Sequence, residues 1–123
     1  MWKRNTPKME NPKRRATAEY LEKVGFIPFT LQEKRKQIEL WRALGYTPEQ
    51  IKPLEAECET FKTEYAKVND LLTKIEPRFK QILELRYMNG LTIHKVAEIS
   101  GYHHRWVQRL IVDALDEFAK YVI

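Results

Sequence analysis

Between Ile51 and Ile75 the apolar residues recur at alternating steps of three and four: Ile51, Leu54, Cys58, Phe61, Tyr65, Val68, Leu72 and Ile75. Only a helix, with about 3.6 residues per turn, gathers such a spacing into one continuous stripe. A stripe this long demands an apolar partner, and a helical partner is the simplest. The expected fold is therefore all-α, with about five or six helices: a helical packing or oligomerisation module followed by a C-terminal three-helix module. Two partners are open. The stripe can pack inside the chain against a neighbouring helix. Alternatively it is a heptad seam shared by two copies, in which case Leu54, Cys58, Phe61, Tyr65, Val68, Leu72 and Ile75 make a homodimer interface. Cys, Phe and Tyr are untypical of zippers, which keeps the first option in play.

Punctuation residues place the other elements. Residues 1–15 carry Pro7, Pro12 and many cations and offer almost nothing to bury, so they read as a flexible basic arm. Residues 16–29 read as a short helix stopped near Gly25. An extended stretch should follow, because Pro28 disfavours helix at Ile27; Phe26, Ile27 and Phe29 should tuck into the body of the fold. Thr30 and Glu33 have capping-box spacing and should open a helix that ends at Gly45. Thr47-Pro48-Glu49-Gln50 is a second start signal. Pro53 predicts a kink there, with the main helix running from Pro53 to Glu76 and stopped by Pro77.

From Pro77 the pattern shortens. Phe79, Ile82, Leu83, Leu85, Arg86 and Tyr87 form a helix ending at Asn89-Gly90. Thr92 can cap the next helix, whose buried face is Ile93, Val96, Ala97 and Ile99. Ser100-Gly101-Tyr102 is a tight turn with glycine at its centre. A third helix runs from about His103 through Phe118 on Val107, Leu110, Ile111, Ala114, Leu115 and Phe118. Two short helices crossing at such a turn project the start of the second outward. The outward residues are His103, His104, Arg105, Gln108 and Arg109. In the major groove of DNA, Gln and Arg can make the paired hydrogen bonds that identify adenine and guanine. Lys80, Arg86, Thr92, Lys95 and His103 are placed to meet phosphates, which position a protein without specifying sequence. His103 also reads as a helix cap. Trp106 either packs inward or faces a sugar or thymine methyl, and Tyr102 should pack under the turn.

The run Leu85-Arg86-Tyr87, Gly90-Leu91-Thr92-Ile93-His94-Lys95-Val96-Ala97-Glu98, Val107-Gln108-Arg109 and Ala114-Leu115 resembles region 4 of sigma factors of the sigma-70 type. It is more similar still to the sigma-like C-terminal halves of small phage transcriptional activators of the RinA and ArpU kinds. The resemblance covers roughly residues 75–120. It implies that base reading falls on His104, Arg105, Gln108 and Arg109, and that Thr92 begins the first helix of the DNA-docking pair. It also implies a phage or prophage origin and contact with RNA polymerase. Arg105 stands where sigma factors often have an acid, and Trp106 where they have a smaller or charged residue, so DNA sequence preference does not carry over. No part resembles the promoter-melting region.

Charge sharpens the division into 1–15, 16–76 and 77–123. The formal net charge is +5. The arm alone holds Lys3, Arg4, Lys8, Lys13, Arg14 and Arg15 against Glu10. Residues 77–112 hold Arg78, Lys80, Arg86, Lys95, Arg105 and Arg109 against Glu84 and Glu98. Cations so placed concentrate near phosphate or simply solvate a surface. The arm can likewise track a DNA groove or serve as a solubilising tail. No apolar run suits a membrane span, and no apolar stretch follows the basic start as in a secretory signal. With one cysteine, Cys58, no internal disulfide is possible, and the expected compartment is the bacterial cytoplasm. No spacing of His, Cys or acids matches a metal site, no nucleophile, phosphate-loop or paired-acid motif marks an enzyme, and no cofactor is expected. The leading expectation is a sequence-specific regulator that binds double-stranded DNA, as a homodimer. A phage DNA-packaging subunit of the small-terminase kind, forming rings, and a protein-binding inhibitor on a helix-turn-helix scaffold are the alternatives.

Overall fold

The computed structural model of the protein describes residues 11–122. Apart from residues 11–15, the basic arm lies outside them. The fold is all-α. Its helices are α1 (Pro12–Gly25), α2 (Ile27–Ala43), α3 (Pro48–Leu72), α4 (Pro77–Leu83), α5 (Ile93–Ser100) and α6 (His104–Val122). A π turn over Glu84–Met88 prolongs α4. No helix among the described residues is long and apolar enough to cross a membrane.

α1 starts earlier than composition indicated. The Asn11 side chain accepts hydrogen bonds from the amides of Lys13 (2.9 Å) and Arg14 (3.2 Å), and Pro12 occupies the first helical position. These are the residue types that open a helix, and they draw the end of the supposed arm into it. Arg14 then reaches α6, donating from Nε (2.9 Å) and Nη2 (2.8 Å) to the two carboxylate oxygens of Asp116.

The extended stretch expected after Gly25 does not exist. Phe26 alone joins α1 to α2, with helical dihedrals, and its carbonyl accepts from Thr30 N–H (3.0 Å). Pro28 lies in the first turn of α2, where a missing N–H costs nothing. The Thr30–Glu33 capping box is absent for the same reason, because the helix is already under way at Thr30. Only Ile27 of the three apolar residues goes inward; Phe26 and Phe29 are 64% and 60% exposed. The end of α2 follows expectation. Gly45 has φ +88°, its N–H bonds to Arg42 O and Tyr46 N–H bonds to Trp41 O, both at 3.0 Å. These two bonds close a Schellman turn, and the Trp41 and Tyr46 rings pack across it at a tilt, 4.7 Å apart.

α3 opens on the Thr47–Gln50 capping box. It runs through Pro53 as one helix, against the expected kink. The bond lost is the one to the Glu49 carbonyl, and Glu49 is exposed, so water can replace it. α3 stops at Leu72, short of Glu76. α2 folds back along α3, tied by Lys34–Glu57 (2.6 Å) and Arg42–Glu55 (2.8 Å). The apolar seam is taken up within this one chain. Ile51, Cys58, Val68, Leu72 and Ile75 are buried, and Leu54, Phe61 and Tyr65 are half-buried against the same core. Sharing it with a second copy would require parting α3 from its neighbours.

α6 is the centre of the fold. Val107, Leu110, Ile111, Ala114, Leu115 and Phe118 are almost wholly buried. α1 packs across α6 and the π turn through Leu21 and Val24, so one core joins segments 16–76 and 77–123. In α5, Ile93 and Val96 are buried, whereas Ile99, expected inside, is 52% exposed. It stands on the outer side of a helix of only eight residues.

Two tyrosines couple this packing to pH. Burial pushes the Tyr20 phenol up to about 12, and its hydrogen bond to the Glu64 carboxylate adds to the effect. Burial likewise pushes Tyr87 up to about 12, opposed by Arg86 and aided by Glu22. Both pKa values are raised on folding. The stabilisation is thus fully present below about pH 10 and is lost as pH rises through about 12. Urea midpoints should fall across that window. The fall should be smaller in Tyr20→Phe, roughly in proportion to the one ionisation removed.

Candidate nucleic-acid interface

The outward face of α5, its turn and the start of α6 is built by local hydrogen bonds. Thr92 caps α5, its Oγ1 accepting from Lys95 N–H at 3.1 Å. Gly101, at φ +81°, ends α5 in the left-handed region, with its N–H on Ala97 O at 2.9 Å. A side chain here would be strained in that conformation. The Ser100 hydroxyl accepts from Tyr102 N–H (3.3 Å), and Tyr102 packs half-buried on the core. His103 Nδ1 accepts from Arg105 N–H at 3.1 Å, so His103 is the cap of α6.

With Val107, Leu110 and Ile111 locked inward, the first turns of α6 present the opposite side. Arg105 and Arg109, one turn apart, are exposed, and His104 and Gln108 are half-buried beside them. Trp106 is 42% exposed on the flank. The four residues expected to read bases therefore stand on contiguous turns of one helix end. His94, at the start of α5, joins them: its ring lies 6.4 Å from that of His104. His94 is not among the residues expected to touch DNA. Its place just after the Thr92 cap was the available signal.

The expected phosphate contacts fare unequally. Lys95 is exposed and paired with Glu98 at 3.1 Å, a surface contact weak enough to be exchanged for phosphate. Lys80 is paired with Glu84 at 2.9 Å, and Arg78 with Glu76 at 2.9 Å. Arg86 is committed to the fold. Its Nη1 donates to Leu91 O at 2.8 Å, and its guanidinium lies 5.6 Å from the Tyr87 ring centroid, so it closes the loop from the π turn to α5. Among the described residues, Arg105 and Arg109 are the two cations of 77–112 whose side chains have no hydrogen-bond or ion-pair partner.

α5 thus ends in a glycine turn and is followed by a helix whose first turns display arginine, glutamine and histidine. Among the described residues no three His, Cys, Asp or Glu side chains gather as a metal site. Comparisons with protein-family models, with curated proteins and with solved structures find no match to this chain.

Proposed function

We propose that the chain is a sequence-specific regulator of transcription that binds double-stranded DNA through the α5–turn–α6 face. The observation that carries this reading is the unpaired state of Arg105 and Arg109. Elsewhere in the basic segment each cation is held by a carboxylate or a carbonyl. Two exposed guanidinium groups on the first turns of a helix, with Gln108 between them, are free to meet base edges without breaking any internal bond. Lys95 and the cap residues Thr92 and His103 flank them, in reach of phosphates. The helix start adds its own partial positive charge. The resemblance to phage activators supports a phage or prophage source, action in the bacterial cytoplasm and contact with RNA polymerase.

Titrating a fluorescent duplex by anisotropy at several salt concentrations tests the reading. Neutralising two or more phosphates predicts a log–log salt slope of about −1.8 or steeper. No binding even at low salt would remove DNA as the ligand.

A further inference from the structure

The seam of α3 is covered, yet another helix face is left open. On the side of α2 turned away from its buried Ile27, Leu31 and Ile38, the residues Phe26, Phe29, Leu40 and Leu44 are 64%, 60%, 56% and 64% exposed. They stand at helical spacing, with Glu33 and Lys36 between the two apolar ends. Phe29, Glu33, Lys36 and Leu40 line one shallow groove. Phe26 to Leu44 spans about 27 Å of helix. Isolated exposed apolar residues need no explanation, but four aligned on one helix face are a contact surface in want of a partner.

The order of residues along this face identifies the partner. A second copy laid antiparallel, with the two-fold axis between Glu33 and Lys36, sets Phe29 against Leu40 and Phe26 beside Leu44, at both ends. The same operation sets Glu33 of each copy against Lys36 of the other. The stripe is therefore complementary to itself in both shape of pattern and charge, as an isologous contact requires. A parallel arrangement fails, because it stacks Glu33 on Glu33 and Lys36 on Lys36. Within one chain Glu33 and Lys36 make only a loose exposed contact of 3.6 Å, which is readily exchanged. We infer that two copies of this chain associate through an antiparallel α2–α2 contact, with Phe26, Phe29, Leu40 and Leu44 as its apolar ends and Glu33–Lys36 as its crossed pairs.

One helix face is a small interface, so the dissociation constant should be on the order of 10 µM. Sedimentation equilibrium over a concentration series measures it without DNA, so the outcome stands apart from the DNA reading. Wild type is expected to pass from monomer to dimer. Leu40→Glu should weaken association more than about tenfold. Glu33→Lys and Lys36→Glu should each weaken it about tenfold, and the double exchange should restore it. All three substituted positions are exposed, so circular dichroism should show unchanged helix content in every variant. A wild type that stays monomeric to about 500 µM would overturn the inference. So would a dimer indifferent to Leu40→Glu, or a double exchange that fails to recover.

Discussion

Gly25→Ala is expected to destabilise the protein by about 2–4 kcal/mol, a loss of roughly 10 °C in melting temperature. In an exposed helix the same change would help, since alanine exceeds glycine in helix propensity by about 1 kcal/mol. Here the close approach of backbone reverses the sign. A Cβ on Gly25 would lie 2.2 Å from the carbonyl oxygen of Tyr87 and 3.2 Å from Met88 Cα. Neither atom belongs to a side chain that can swing away. The π turn is bonded from Asn89 N–H to Glu84 O at 2.8 Å, and Tyr87 is buried beneath it. Relief would require α1 to lift from the π turn. Urea denaturation of the two proteins measures the effect, and an unchanged or raised midpoint in Gly25→Ala would contradict this account of the contact.

The other large effect falls on binding. Replacing Arg105 and Arg109 together by alanine should cost about 2–6 kcal/mol of affinity for a preferred duplex, at least about thirtyfold. Stability should be nearly unaffected, because neither side chain has an internal partner to lose. This separation distinguishes the pair from Arg86. Truncating Arg86 would free the Leu91 carbonyl and loosen the loop before α5, lowering binding only through the fold. Anisotropy with matched urea melts separates the two behaviours. Equal affinity for wild type and the double variant would show that α6 does not read DNA.

Much of the core could be read from the residues. The apolar positions of α6 follow one helical period, and each is buried. The Thr47 and Thr92 caps and the Gly45 and Gly101 stops satisfy backbone groups at the places where their side chains and dihedral freedom said they would. Proline misled twice in the same way, by pointing to a break where the chain stays helical. Pro28 stands in the first turn of α2, where its missing N–H costs nothing, whereas Pro53 lies inside α3 and gives up one bond, to the exposed Glu49 carbonyl. The exposure of Phe26 and Phe29 was illegible, because hydrophobicity tells that a residue seeks cover, not whether its own chain provides it. Gly25 does end α1, as its residue type indicates. Its contact with Tyr87, many residues distant, is a tertiary fact that no local pattern carries. The candidate site divides along the same line. Helical phase placed His104, Arg105, Gln108 and Arg109 on one end of α6. Which cations remain unpaired depended on Glu98, Glu84 and the Leu91 carbonyl in three dimensions.

Selection from a pool of randomised short duplexes, run with wild type and with the Arg105→Ala, Arg109→Ala variant, tests the central claim most directly. The α6 reading predicts that wild type enriches a defined sequence and that the variant, equally folded, enriches none. Enrichment of no sequence by wild type, or of the same sequence by both proteins, would contradict it.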